Sequence, residues 1–159
     1  MFQPFNPFTA VPQEHLVQSI KTNIRGVLDS YHGDWDFLVE MLQNAVDALE
    51  EKFADVKGRL EETPRIEILV NVNAGTVRVS DNGVGMDANL ATRIIVPNFT
   101  TKPYTSASGR RSLRGHKGVG LTFLACSTDH FRYCTKRGDS FFSGVLLNAN
   151  AWVKGEEGQ

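Results

Sequence analysis

The hexapeptide Asp81-Asn82-Gly83-Val84-Gly85-Met86 constrains this chain more than any other stretch. It follows an alternating run through Val77 and Val79, which reads as a strand, and precedes a helix start at Asp87. An acidic side chain is thereby set at a strand end, beside two glycines that let the backbone turn sharply and approach a flat ligand. The same residues also spell ordinary turn chemistry, so this segment alone leaves both readings open.

The stretch upstream is a helix with an unusual face. Gly33-Asp34-Trp35 makes a helix entry in which the Asp34 carboxylate is placed to cap free backbone N–H groups. From Trp35 to Phe53, the residues Trp35, Leu38, Val39, Leu42, Val46, Leu49 and Phe53 recur at helical spacing and predict the core-facing stripe. Glu40, Asn44 and Asp47 share another face, at i, i+4 and i+7. A solvated polar face is the plain reading. Against it stand Met41, Ala45 and Ala48, which leave little polar exterior, and Asn44, a mediocre helix former. A carboxylate and a carboxamide one turn apart suit polarising a water and ligating a hard cation.

The third stretch, Arg114-Gly115-His116-Lys117-Gly118-Val119-Gly120-Leu121, runs into the apolar segment 122–126. Glycines at this spacing, opening a helix, let successive N–H groups point at an anion. It is not a Walker A loop, because the four-residue gap and the terminal Lys-Ser/Thr are missing. It is not a dinucleotide fingerprint either, since it opens no βαβ unit. A flexible hinge is the alternative.

Taken in order, the three segments resemble the GHKL ATPase superfamily of DNA gyrase, heat-shock chaperone ATPases, MutL and MORC proteins, and histidine kinases. Glu40-Met-Leu-Gln-Asn44-Ala-Val-Asp47-Ala is similar to its N box, Asp81 to Met86 to its adenine-binding box, and Gly115 to Gly120 to its second glycine box. The resemblance covers roughly residues 35–150. It implies ATP and Mg²⁺ as cofactors, with Glu40 as the general base and Asn44 as the Mg²⁺ ligand. Asp81 would accept from the adenine amine, Gly83 and Gly85 would let the backbone close on the base, and Met86 would line the pocket. Gly115, Gly118, Val119 and Gly120 would hold the phosphates, and Lys102 and Lys117 would reach them as mobile cations. For Asp47 a structural hydrogen bond is expected, with a contact to the nucleotide network as the alternative.

The resemblance also implies a Bergerat fold: an α+β two-layer sandwich, with one mixed, mainly antiparallel sheet covered on one face by helices and the nucleotide between helices and lid. It further implies one more strand after the last hairpin, often opening Gly-Thr. Residues 148–159 read instead as a charged, glycine-containing tail. The expectation is therefore a single domain over residues 1–159, lacking its last strand and forming an N-terminal fragment of a longer protein.

The remaining elements are read from pattern. Residues 1–10 hold three Phe and two Pro without a helical or strand period and form a candidate arm that packs on a neighbour in a homodimer. A first helix is predicted over 12–30 and a second over 35–53. A hairpin spans 65–80 around Ala74-Gly75, a short helix 86–96, and a second hairpin 129–147 around Gly138. Residues 97–115, rich in Ser, Gly and basic side chains, correspond to the family's ATP lid.

The chain has 159 residues, 41% hydrophobic and 22% charged, enough for one domain with a core. A net charge of −1 makes no electrostatic case for nucleic acid as the direct partner. Apolar runs fall short of the ~20 residues that a membrane helix needs. Cys126 and Cys134 read as reduced core thiols of a cytoplasmic protein. The four histidines show no metal-ligand spacing.

The function expected is Mg²⁺-dependent ATP hydrolysis that switches the conformation or dimerisation of attached domains, with ATP and ADP as ligands. A histidine-kinase-type catalytic domain is the rival reading, because Asn98-Phe99-Thr100-Thr101-Lys102-Pro103 resembles a lid-border motif of such kinases. Against it, the first helix offers only His15 as phosphoacceptor, and Glu40 stands where the family's hydrolases carry their base. A non-hydrolysing nucleotide sensor is the third reading.

Overall fold

The computed structural model describes residues 11–54, 62–99 and 118–156. Helices α1 (Gln13–Leu28) and α2 (Asp36–Phe53) come first, followed by the hairpin β1 (Ile66–Asn71) and β2 (Thr76–Asp81). A single turn, α3 (Ala88–Ala91), precedes α4 (Gly120–Cys126), the hairpin β3 (His130–Arg137) and β4 (Ser140–Leu147), and α5 (Ala149–Lys154). The order of helices and hairpins is the one expected from pattern. The helix expected over 86–96 is limited to α3: Asp87 caps it by accepting from the Leu90 N–H at 2.8 Å, and the chain then continues in turns.

Both hairpins are antiparallel, with Ile68 opposite Val79 and Val70 opposite Val77 in one, and Tyr133 opposite Gly144 in the other. The α+β class is as expected, but the described strands form two two-stranded sheets rather than one continuous sheet. The physical reason lies in the segment between them. After β2 the chain crosses the β3–β4 hairpin without forming a ladder and gives its N–H groups to side chains. Met86 donates to Thr135 Oγ1 at 2.8 Å, and Ala88 to Ser140 Oγ at 3.0 Å.

The core gathers around α4. Thr122, Phe123, Leu124, Ala125 and Cys126 are all buried, so this short helix is enclosed rather than amphipathic. Burying a side chain such as Leu124 contributes about 1.5–3 kcal/mol. Ala125 and Cys126 cluster with Ile24 of α1 and with Ala149 and Val153 of α5. The segment expected to be a tail is therefore a helix through residue 154, with Ala149 and Val153 one turn apart on its buried face. Arg25 fastens it, donating from Nε and Nη2 to the Val153 carbonyl at 3.0 and 2.7 Å.

Two expectations about α2 are corrected. Its buried residue is Ala45, whereas Trp35 and Val39 of the apolar stripe are 68% and 45% exposed. Small side chains lie where other backbones approach, and the bulky stripe is displaced to the flank, where Val39, Leu42 and Val46 line a surface cavity. The expected cap by Asp34 is also not made: Trp35 takes the N-cap position with no side-chain cap hydrogen bond, and the aspartate engaged at the helix entry is Asp36, whose Oδ2 accepts from the Gly33 N–H at 2.7 Å. Gly33 and Asp36 thereby close the turn that precedes the helix, since the Asp36 N–H also donates to the Gly33 carbonyl at 3.1 Å.

Cys126 is buried as expected, but Cys134 is exposed, because it lies on the outward face of β3 with Arg132 and Lys136. Among the described residues, no helix is long and apolar enough to cross a membrane.

Candidate functional site

Glu40, Asn44 and Ala48 follow one another at four-residue intervals, so they form a single row along α2, about 12 Å from end to end. Each end of the row carries one of the glycine segments. At the first end, a Cβ on Gly120 would strike Oε2 of Glu40, which places the start of α4 directly against that carboxylate. At the other end, the Val84 N–H donates to the Ala48 carbonyl at 3.0 Å. A Cβ on Gly83 would lie 2.6 Å from the Ala48 carbonyl carbon, so glycine is required there for the loop to dock.

The 81–86 loop is held from its other side by β3. Gly85 has φ of +65°, and a Cβ there would run into the Lys136 carbonyl, so both its conformation and its surroundings demand glycine. Asp81 is exposed, and its Oδ1 accepts from the Gly83 N–H at 2.8 Å. The turn reading of this residue is thus correct for one carboxylate oxygen, and it leaves Oδ2 able to accept from a ligand. Met86 is half-buried beside Thr135.

The sequence alone suggests no role for Asn82, and the structure makes it a node. Its Oδ1 accepts from the Arg65 N–H at 2.7 Å, and its Nδ2 donates to Glu62 Oε1 at 2.8 Å and to the Thr63 carbonyl at 2.9 Å. Lys52 Nζ donates to both the Asn82 carbonyl and Glu62 Oε2, at 2.7 and 2.8 Å. The Lys52 hydrogen bond, followed by the one from Asn82, holds the Glu62 carboxyl below its ordinary range. The signal for this node, an Asn after the motif aspartate, is hidden in a residue type common to turns.

Asn44, in the middle of the row, has a buried Nδ2 with no hydrogen-bond partner among the described residues. Buried amides are nearly always satisfied, so an unpartnered one marks a place where the molecule expects something else. Which end of the amide faces that space is an assignment of O and N: as assigned the unmet group is a donor, and with the amide turned over it is the acceptor oxygen. With the oxygen turned to that space, a hard-cation site built around the amide fits these residues.

The glycine segment is described from Gly118 onward. Gly118 has φ of +63°, Val119 caps α4, and Thr122 Oγ1 donates to the Ile95 carbonyl at 2.8 Å, fixing the helix against the turns that follow α3. Gly115, Lys117 and Lys102 lie outside the described residues, as do residues 1–10 of the expected arm and all but 97–99 of the expected lid. Asp47 is half-buried on the same helix as Glu40 and Asn44.

Residues 33–141 match the family of histidine kinase-, DNA gyrase B- and HSP90-like ATPases, and the match takes in the whole row on α2, the 81–86 loop and α4. The chain belongs to this family of ATP-binding domains. The same comparison made with curated proteins, and with solved structures, finds no match.

Proposed function

We propose that this domain binds ATP with Mg²⁺ and hydrolyses it, and that the nucleotide lies along the α2 row with its base by Asp81 and its terminal phosphate by Glu40. The observation that carries this reading is the order of the row. An exposed acceptor-bearing loop is docked at Ala48, an unsatisfied amide sits at Asn44, and a carboxylate at Glu40 abuts Gly120. A ligand with a hydrogen-bonding base at one end and anionic oxygens at the other suits that sequence of groups.

Asp81 Oδ2 accepts from the exocyclic amine of adenine, a contact that guanine, with a carbonyl there, does not offer. The N–H groups around Gly118, Val119 and Gly120 donate to phosphate oxygens. Asn44 would hold Mg²⁺ through its amide oxygen, and the bound ion would neutralise charge on the phosphates. Glu40 takes a proton from a water as that water's oxygen bonds to the γ-phosphorus. The bond from the γ-phosphorus to the bridging oxygen breaks, and ADP leaves with the electron pair. Lys102 and Lys117 are proposed as further phosphate contacts, and hydrolysis as the switch for attached domains.

Glu40→Ala is expected to keep ATP affinity while losing turnover by about 10²–10⁴-fold, the usual contribution of a positioned base. Asn44→Ala should weaken Mg²⁺-dependent binding and turnover together. Phosphate release and calorimetric titration on the same preparations test both. Parental turnover in Glu40→Ala contradicts the mechanism, an acid-labile phosphoprotein indicates a kinase, and binding without either product indicates a sensor.

A further inference from the structure

Tyr31 stands outside all three motifs, yet it touches the carboxylate at the centre of the proposed chemistry. It leaves the end of α1 in a tight turn, its N–H donating to the Leu28 carbonyl at 3.2 Å. Its ring lies flat on Phe123, with centroids 3.8 Å apart and planes 10° from parallel. Phe123 is buried within α4, three residues beyond Gly120, so the core sets the position of the Tyr31 ring. From there the hydroxyl donates to Glu40 Oε1 at 2.7 Å, while the other oxygen, Oε2, is the one that abuts Gly120.

The two carboxylate oxygens are thus differentiated. One is held by a phenol fixed in the core, and the other faces the glycine segment. A glutamate side chain is flexible about its χ angles, and its terminal torsion is soft. A base must nevertheless be held within hydrogen-bond reach of its proton, and a misplacement of about 1 Å can cost on the order of 10²-fold in rate. The geometry points to Tyr31 as the positioning residue for Glu40, an inference that rests on Glu40 acting as the base. Tyr31 acts by donating to Oε1, so that Oε2 alone is presented to the attacking water.

The hydroxyl keeps its own proton in this role. Burial, then the hydrogen bond to Glu40 and the negative charges of Glu40 and Asp36, push Tyr31 well above its ordinary pKa. It is a donor throughout the neutral range and takes no part in proton transfer. Packing alone does not account for the contact, since a phenylalanine would stack on Phe123 equally well. Tyr133 offers the contrast: its hydroxyl goes to a backbone carbonyl, that of Ala91.

The test is Y31F, which preserves the ring and removes the donor. ATP affinity is expected to stay within about twofold while kcat falls about 10–10²-fold. In a Glu40→Gln background the same substitution is expected to leave the residual rate unchanged, because the group it acts through is gone. Tetrafluorotyrosine at position 31, acidic enough to ionise within an assayable range despite the upward push of this environment, is the second variant. It keeps shape and stacking but ionises at lower pH, so kcat falls as pH rises through that ionisation, where the parent protein is flat. An unchanged kcat in Y31F beside an inactive Glu40→Gln overturns the role of Tyr31 alone, as does a flat profile in the tetrafluorotyrosine protein. Parental turnover in Glu40→Gln overturns the assignment of Glu40, and the role of Tyr31 with it.

Discussion

At the scale of single residues, the sequence places side chains on faces but does not say what each atom meets. Glu40 and Asn44 share a helix face by spacing alone, yet the unsatisfied Nδ2 of Asn44 and the two different environments of the Glu40 oxygens arise only when α4 and Tyr31 arrive. Cys134 shows the same limit. An apolar neighbourhood in sequence says little about a β-strand, whose successive side chains alternate between faces, and Cys134 falls on the outward one. Its exposure has a measurable consequence. A thiol-labelling reagent is expected to modify Cys134 promptly in the native protein, whereas Cys126 reacts only on unfolding. Burial both shields the Cys126 thiol and raises its pKa, so little thiolate is present. Equal native rates for the two would contradict the enclosed α4.

At the scale of elements, both hairpins and the two long helices are readable, because alternation and helical periodicity are local signals. Which helix face packs is not. The bulky stripe of α2 obeys the usual rule, but the glycines at 83 and 120 bring backbone against the small and polar face instead. Close approach of backbones replaces side-chain interdigitation there. α5 escapes a reading by pattern because its buried face is only Ala149 and Val153, too short a period to separate from a tail. The 81–86 loop is the element most tightly specified. Gly85→Ala would need a left-handed residue, at about 1–2 kcal/mol, and would meet the Lys136 carbonyl as well. A loss above about 2 kcal/mol, together with weakened ATP binding, is expected from chemical denaturation and titration. An unchanged denaturation midpoint would mean that the loop is not docked on β3.

At the scale of the whole molecule, the two hairpins and the helices are joined through the site rather than through a shared ladder. α2 meets the loop after β2 through Ala48, Gly83 and Val84; β3 meets the same loop through Thr135 and Lys136; α4 meets α2 through Gly120 and Glu40. Two glycine segments far apart in sequence thus converge on one helix, an arrangement that no motif alone could reveal. Family membership follows from residues 33–141, and ATP binding with it. The central claim is that the nucleotide's base is read by the loop docked at Ala48. Calorimetric titration of ATP into Asp81→Asn tests this most directly, because the substitution keeps the shape while removing the charge and offering a donor where the adenine amine needs an acceptor. A folded protein with ATP affinity lowered about 5- to 150-fold, the equivalent of the roughly 1–3 kcal/mol of an unmatched polar pair, is the predicted result. Undiminished affinity in a folded Asp81→Asn would reduce Asp81 to a turn residue and contradict the claim.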